Sequence, residues 1–367
     1  MKRKIWFRAL ALGVILSSGA LGVSAASTYA KSGNRADSHS HAPFQHIFVI
    51  MMENESASTL VGNPSDPFVN QLIATYGYDN NYFGVTHVSL PNYVAALTGN
   101  NWYSNSDDPT QMFDHRNLVD QLNTHRLTWK AYMQSIPYPG FTGYWYPNNL
   151  PAGTSPSVTP SNALYAKKHD PFLLMSDVAN SAQAKQVVPL RQLTADLTDG
   201  HVPDFVWITP NVINDMHGQS PGTGATLPYT NEQQLISAGD QFLKQWVTTI
   251  MDSSTWKHSR SLMLITWDEA GYPGANPTPQ QLQSFTAPGP DSPVVPAGSV
   301  DGFSWPGGAY GGGQVPLLIL DNQRPGHFVL NTWADHYTLL RTIEKNWGLG
   351  TLGMASDNAQ VKALPLK

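Results

Sequence analysis

The sequence predicts an α/β protein with a mostly parallel central sheet and helices on both of its faces. Three short runs, at residues 47–52, 204–209 and 261–267, are dominated by apolar side chains, as is typical of strands buried on both faces. Apolar residues recur at helical spacing between the last two runs, at residues 232–252, which predicts a helix facing the sheet. Strands that alternate with helices favour parallel pairing.

The other elements continue this alternation along the chain. Pro91 favours a first helical turn because its φ is already fixed near the helical value, and the remaining assignments follow the spacing of apolar residues. In chain order, the sequence predicts strand 47–52, helices 67–76, 90–98 and 117–124, strand 128–133, helices 171–180 and 190–197, strand 204–209, helix 232–252, strands 261–267 and 315–320, and helix 335–347.

Two stretches interrupt the pattern, residues 135–161 and 270–313, both rich in proline, glycine and aromatic residues. Loops of this length in a compact fold are usually functional or disordered. Their aromatic residues either line a substrate entrance or anchor the loops to the body of the protein, and we leave both interpretations open. The residues concerned are Tyr138, Phe141, Tyr144, Trp145, Tyr146, Trp305 and Tyr310.

The segment at residues 84–99 places Ser89 at a turn before a predicted helix. The unpaired N–H groups at a helix N-terminus attract anions, phosphate above all. Ser89 is therefore either a helix cap or an exposed nucleophile.

Polar residues follow three of the predicted strands, where open α/β sheets place their ligand sites. We expect these residues to share one site, and they are Glu53 and Asn54 after the first strand, Asn211, Asn214, Asp215 and His217 after the second, and Asp268 and Glu269 after the third.

Six motifs give the chain a resemblance to the bacterial phosphoesterase family that holds acid phosphatases and phospholipases C, within the alkaline-phosphatase-like superfamily. They are E-N-E-S at 53–56, T-H-V-S-L-P-N-Y at 86–93, Y-A-K-K-H-D-P-F at 165–172, P-N-V-I-N-D-M-H at 210–217, T-W-D-E at 266–269 and H-Y-T-L-L-R-T-I-E at 336–344. The resemblance implies an alkaline-phosphatase-like fold, with Ser89 as the nucleophile and Asn92 as a donor to a phosphoryl oxygen.

Glu53, Asn54, Asp268 and Glu269 are the candidate ligands of a divalent metal ion. Such an ion would stabilise the charge of a phosphoryl transition state and lower the pKa of the Ser89 hydroxyl. Hard oxygen ligands favour Mg²⁺, Mn²⁺ or Ca²⁺, whereas a histidine ligand would admit Zn²⁺ or Fe, so the identity of the metal stays open. We expect one ion, because the chain lacks the further histidines of the two-metal members of the superfamily.

Four histidines in these motifs are the other candidates. We assign His169 and His217, with Asp215, to catalysis, and His87 and His336 to substrate binding. A charged imidazole that protonates the leaving oxygen would make activity rise below about pH 6.5. Each histidine is equally compatible with a structural role or with metal ligation.

The N-terminus has the three parts of a signal peptide, which predicts cleavage after Ala25 and secretion. We expect residues 1–25 to form the signal peptide, 26–43 a flexible segment and 44–367 a single catalytic domain. A membrane anchor is the alternative, but the apolar stretch is short and interrupted by small residues. No later stretch predicts stable membrane insertion.

Composition narrows the function further. The chain of 367 residues has no cysteine, so disulfides and thiolate ligands do not contribute, and its net charge is −5 with only 13% charged residues. Nucleic-acid binding is disfavoured because no basic run lies outside the N-terminus. A surface poor in carboxylates suits an acidic medium.

These observations predict a secreted, metal-dependent phosphoesterase that hydrolyses phosphomonoesters through a phosphoserine at Ser89. The expected partner is a small phosphoester or a phospholipid substrate. A phospholipase C acting on diesters is the first alternative. A non-catalytic secreted protein that binds glycans or the cell wall is the second.

Overall fold

A central eight-stranded sheet organises the protein in the computed structural model, which describes residues 42–218, 231–274, 276–300 and 303–366. The strands are β1 (His46–Met52), β2 (Gly77–Asp79), β3 (Trp129–Met133), β4 (Trp145–Tyr146), β5 (Tyr165–Ala166), β6 (Val187–Pro189), β7 (Phe205–Thr209), β8 (Ser261–Trp267), β9 (Val294–Val295), β10 (Gly298–Val300), β11 (Phe303–Trp305), β12 (Gly308–Ala309), β13 (Leu317–Asp321) and β14 (Phe328–Leu330).

Helices pack around this sheet. They are α1 (Ala57–Leu60), α2 (Pro67–Thr75), α3 (Ser89–Thr98), α4 (Leu118–Thr124), α5 (Pro171–Leu174), α6 (Ser176–Ala179), α7 (Gln192–Asp199), α8 (Glu232–Asp252), α9 (Ser254–His258), α10 (Pro279–Phe285) and α11 (His336–Trp347). In the described parts of the chain, short 3₁₀ helices cover Lys167–His169, Ala182–Gln186 and Gly353–Ser356.

The strand order in the sheet is β14-β2-β13-β8-β1-β7-β3-β6. All neighbouring pairs are parallel except the two made by β13, which runs antiparallel to β2 and to β8. The predicted α/β class with a mostly parallel sheet is therefore confirmed. The strand β1 lies in the middle of the sheet, and all of its residues except His46 are buried.

The long predicted strands and helices are present within a few residues of their expected ends. Three sheet strands, β2, β6 and β14, were not predicted, because each has only three residues and is too short to show a pattern. The predicted helix 171–180 is instead two short helices, α5 and α6. The break falls at Met175, which has extended backbone and forms a β-bridge with Phe113.

The two long stretches contain more structure than a loop. Within residues 135–161 lies β4, which pairs with β5, and within residues 270–313 lie α10 and two small antiparallel pairs, β9 with β12 and β10 with β11. Their aromatic residues mostly pack on one another or on the body. Phe141 contacts the rings of Tyr138, Tyr146 and Tyr165.

The described residues belong to one compact unit, Ser38–Lys367. The predicted signal peptide and nearly all of the predicted flexible segment lie outside the described residues. Among the helices that are described, none is both long enough and apolar enough to cross a bilayer.

Candidate active site

The carboxyl ends of three neighbouring strands meet at one edge of the sheet. The last residues of β1 and β8, Met52 and Trp267, are paired in register, and the backbone N–H of Asp268 donates to the Met52 carbonyl at 3.0 Å. The N–H of Glu53 likewise donates to the carbonyl of Asp215 at 3.0 Å. The acidic residues that follow the three strands therefore lie side by side.

Ser89 faces this edge from the first turn of α3. Val88 occupies the cap position of the helix, so the Ser89 hydroxyl is not used as a cap. Its Oγ lies 3.0 Å from Glu53 Oε2, 3.2 Å from Asn54 Oδ1 and 3.2 Å from Glu269 Oε1. A hydroxyl has one proton and can donate to only one of these three oxygens at a time, so a cation would relieve the repulsion between them.

Asn54 is held in place by its neighbours in the site. Its backbone N–H donates to Asp268 Oδ1 at 2.8 Å, and its Nδ2 donates to Glu269 Oε1 at 2.7 Å. Its φ of 32° is positive, a conformation that asparagine adopts more readily than most residues. These bonds fix the side chain with its Oδ1 towards Ser89.

Asn92 organises the turn that presents Ser89. Its Oδ1 accepts the N–H groups of Val85 and Thr86, at 2.9 and 3.1 Å, and its Nδ2 donates to the carbonyls of Thr86 and Val88, at 2.8 and 3.0 Å. Both hydrogens of its amide are therefore used within the turn. In this structure Asn92 positions Ser89, and its donation to a phosphoryl oxygen stays a prediction.

Glu53 contacts two aromatic rings in addition to Ser89. Its Oε1 accepts the Tyr93 hydroxyl at 2.5 Å, and its Oε2 lies 3.3 Å from His169 Nε2, which makes no hydrogen bond. The rings of Tyr93 and His169 are stacked, with centroids 5.5 Å apart. Burial and the nearby Asp268 carboxylate raise the pKa of Glu53 well above its ordinary value. Tyr93 was not singled out in the sequence, because only its contact with Glu53 gives it a role.

Asp215 and His217 lie in the loop after β7. Asp215 Oδ1 accepts the N–H groups of His217 and Gly218, at 3.0 and 2.8 Å, and burial raises the pKa of Asp215 to about 7. Burial and the charge of Lys168 lower the pKa of His217 to about 4. Burial lowers that of His169 well below its ordinary value too. Burial therefore favours the neutral form of both imidazoles, and their role as charged acids in catalysis stays a prediction.

His87 and His336 make their contacts within the protein. His87 Nδ1 lies against Glu269 Oε2, and its Nε2 lies 2.8 Å from the carbonyl of Phe285. His336 Nε2 lies 2.6 Å from the carbonyl of Asp268, and its Nδ1 lies 2.8 Å from the Tyr82 hydroxyl. Both rings are almost fully buried. His87 thus contacts a carboxylate of the acidic group and His336 contacts the backbone carbonyl of Asp268, and substrate binding by either stays a prediction.

Lys168 brings a positive charge to the site. Burial lowers its pKa, but the charges of Asp107 and Glu53 outweigh burial and hold the pKa above its ordinary value. Lys168 Nζ lies 2.5 Å from Asp107 Oδ2, while Asp107 Oδ1 accepts the N–H of Leu90 in the first turn of α3 at 3.0 Å. The one sequence signal for Lys168 is its place beside His169 in the same motif.

The donor set suits a hard cation. Glu53, Asn54, Asp268 and Glu269 offer only oxygen ligands, and burial followed by the charge of Glu269 raises the pKa of Asp268 well above its ordinary value. Asp268 Oδ2 is buried and makes no hydrogen bond. Across the parts of the chain that the structure describes, however, no three His, Asp, Glu or Cys side chains are spaced as a ready metal site. Metal binding at these residues therefore stays a prediction.

Comparison with known proteins defines the class. Residues 63–350 match the Phosphoesterase family, and the chain belongs to it. The predicted family resemblance is therefore confirmed. The matched range includes Ser89, Asp268 and Glu269 but begins after Glu53 and Asn54.

Individual relatives are more distant. An acid phosphatase of Aspergillus fumigatus is 28% identical over 284 residues, which are 77% of this chain and 50% of that protein. A phosphatidylinositol-3-phosphatase of Mycobacterium tuberculosis is 25% identical over 317 residues, which are 86% of this chain and 80% of that protein. The chain spans about half the length of the fungal acid phosphatases it matches. A crystal structure of an alkaline phosphatase superfamily protein from Vibrio parahaemolyticus aligns with a TM-score of 0.47 and 11% identity, over 84% of this chain and 68% of that one.

Proposed function

We propose that this protein is a metal-dependent phosphatase that hydrolyses phosphomonoesters through a phosphoserine at Ser89. The observation that carries the proposal is the convergence of Glu53, Asn54 and Glu269 oxygens on the Ser89 hydroxyl at 3.0–3.2 Å. A glycan-binding surface has no need of a buried hydroxyl among acidic groups. The names of the relatives, acid phosphatase and phosphatidylinositol-3-phosphatase, support monoesters over diesters.

The residues of the site divide the work of phosphoryl transfer between them. A divalent ion held by Glu53, Asn54, Asp268 and Glu269 would offset the charge of the phosphoryl oxygens. Ser89 attacks phosphorus, and its proton passes to one of the carboxylates within hydrogen-bond distance. The leaving alkoxide takes a proton from Asp215, whose pKa of about 7 keeps it protonated in acidic medium.

Lys168 and the N–H groups of the first turn of α3 would add positive charge beside the phosphoryl group. Phosphoryl transfer depends mainly on position and on charge stabilisation. Water then attacks the phosphoserine from the side that the leaving group has vacated, and Asp215, now ionised, accepts its proton. As water attacks, the bond between phosphorus and Ser89 Oγ breaks and phosphate leaves. The carboxylate that took the Ser89 proton gives it back to Oγ, so every group returns to its starting state.

Ser89→Ala is the test of this proposal. Loss of the nucleophile should lower kcat for para-nitrophenyl phosphate by at least about 10³-fold, roughly 4 kcal/mol of barrier. Acid-quenched wild-type enzyme should carry labelled phosphate on the peptide that contains Ser89. The matched control is Ser176→Ala, because Ser176 bonds Asp114 on another part of the surface. Near-normal turnover by Ser89→Ala would show that a bound water, rather than Ser89, attacks phosphorus.

A comparison of substrates decides between the phosphatase and the phospholipase C alternatives. We expect wild-type enzyme to release phosphate from para-nitrophenyl phosphate and not to cleave phosphatidylcholine. Faster cleavage of phosphatidylcholine would reverse the assignment. We also propose, from the N-terminal sequence, that the enzyme is exported, and sequencing the mature N-terminus tests whether cleavage follows Ala25.

A further inference from the structure

His87 is enclosed by residues of the second long stretch. Its ring stacks on Phe285 with centroids 3.7 Å apart, and the ring of Tyr310 meets it edge-on at 5.8 Å. Only 2% of His87 is exposed. These contacts fix the ring of His87 against α10, and its hydrogen bonds extend from there to a second residue of the site.

The hydrogen bonds of His87 identify that residue. The carbonyl of Phe285 only accepts, so Nε2 carries a hydrogen and donates to it at 2.8 Å. At the other side of the ring, Nδ1 lies against Glu269 Oε2, and one proton must lie between these two atoms. His87 therefore bridges the backbone of α10 and the carboxylate of Glu269.

Glu269 extends this bridge to the nucleophile. Its second oxygen, Oε1, accepts Asn54 Nδ2 at 2.7 Å and lies 3.2 Å from Ser89 Oγ. A continuous chain of contacts thus runs from the Phe285 carbonyl through His87 and Glu269 to Ser89. The bond at Oε2 is one of the contacts that orient the Glu269 carboxylate, and we expect its loss to move Oε1 from the hydroxyl.

We propose that His87 is a positioning residue that fixes Glu269 Oε1 beside the Ser89 hydroxyl. The proposal rests on the proposed phosphatase function and replaces the sequence-based expectation that His87 binds substrate. Partners of this kind typically contribute 10–100-fold to activity by orienting the groups that react. A displacement of a reacting group by about 1 Å can lower the rate by a similar factor.

Three substitutions of His87 distinguish its hydrogen bond to Glu269 from its hydrogen bond to the Phe285 carbonyl. Asparagine places its amide nitrogen where His87 has Nδ1, and glutamine places its amide nitrogen nearer the position of Nε2. His87→Asn therefore keeps the bond to Glu269, His87→Gln keeps the bond to Phe285, and His87→Phe keeps only the ring contacts. We expect kcat for para-nitrophenyl phosphate to fall about 10–100-fold in His87→Phe and His87→Gln, with KM within threefold of wild type. His87→Asn should recover most of that loss.

A structural measurement tests the same idea without turnover. Crystal structures of His87→Asn and His87→Phe should show Glu269 Oε1 in place in the first and displaced from Ser89 Oγ in the second. Thermal unfolding of all three variants shows whether they fold. An inactive wild-type enzyme would refute the proposed function rather than this inference.

The inference itself is overturned by any of three results. One is a His87→Gln enzyme as active as His87→Asn. Another is a rise in KM with kcat unchanged, which would return His87 to substrate binding. The last is an unmoved Glu269 in His87→Phe.

Discussion

At the scale of single residues, the positive charge that Lys168 brings to the site was not predicted from the sequence. Its charge lowers the pKa values of Glu53 and Asp215 against the effect of burial. Lysines in a sequence are usually solvated, so the pattern alone did not distinguish Lys168 from Lys167. Only the fold shows that Lys168 extends towards the acids.

We predict that Lys168→Met weakens substrate binding more than it slows chemistry. A phosphomonoester dianion gains most from a nearby positive charge, so KM should rise about tenfold or more, equivalent to about 1.4 kcal/mol. Steady-state kinetics with para-nitrophenyl phosphate measure this change. The matched control is Lys130→Met, which removes a similar partly buried pair, Lys130 with Asp196 at 2.6 Å. An unchanged KM would show that Lys168 pairs with Asp107 without contributing to substrate binding.

At the scale of elements, the sheet explains which site residues were predictable. Glu53 and Asp268 follow long apolar strands, β1 and β8, so their place at one edge could be inferred from the strands alone. Strands of three residues carry no such pattern, and β2 was therefore missed. The contacts of His87 were equally hidden, because α10 lies in a stretch that predicted only a loop.

The edge of the sheet is also where the metal prediction can be tested. Asp268→Asn keeps the shape of the side chain but removes one anionic ligand, so we expect metal affinity to fall at least about tenfold, with activity lost in parallel. Elemental analysis after dialysis and thermal unfolding give the two readouts. Glu344→Gln is the control, because Glu344 is a buried acid that bonds Gln121 rather than site residues. Full metal content in a folded Asp268→Asn protein would exclude this assignment.

At the scale of the whole molecule, several buried acids favour folding at low pH. Burial raises the pKa of Asp66 to about 9, with further contributions from Asp240 and Glu55, and raises that of Glu344 to about 7. An acid with a raised pKa in the folded state binds a proton that the unfolded chain has released. The low content of charged residues predicted that the protein suits an acidic medium. The buried acids are a second, independent reason to expect this.

We therefore predict that the protein is more stable at pH 6 than at pH 8. The stabilisation from Asp66 is complete below its ordinary pKa of 3.8 and is lost as pH rises through about 9. Between pH 6 and pH 8 the loss of this stabilisation amounts to about 1–3 kcal/mol in the free energy of unfolding. Denaturant unfolding at both pH values measures it. Asp66→Asn, which stays neutral throughout, should flatten the dependence, and an equal slope in that variant would contradict the explanation.

The bond from His336 Nε2 to the carbonyl of Asp268, at 2.6 Å, bears on how the protein is made. Residues 53, 89 and 268 leave the ribosome well before residue 336, which begins α11. A nascent chain that has reached Glu269 already contains Ser89 and its neighbouring acids, but not the imidazole that contacts the Asp268 backbone. Competence for turnover is thus expected only after residue 336 has been synthesised and α11 has packed against the site.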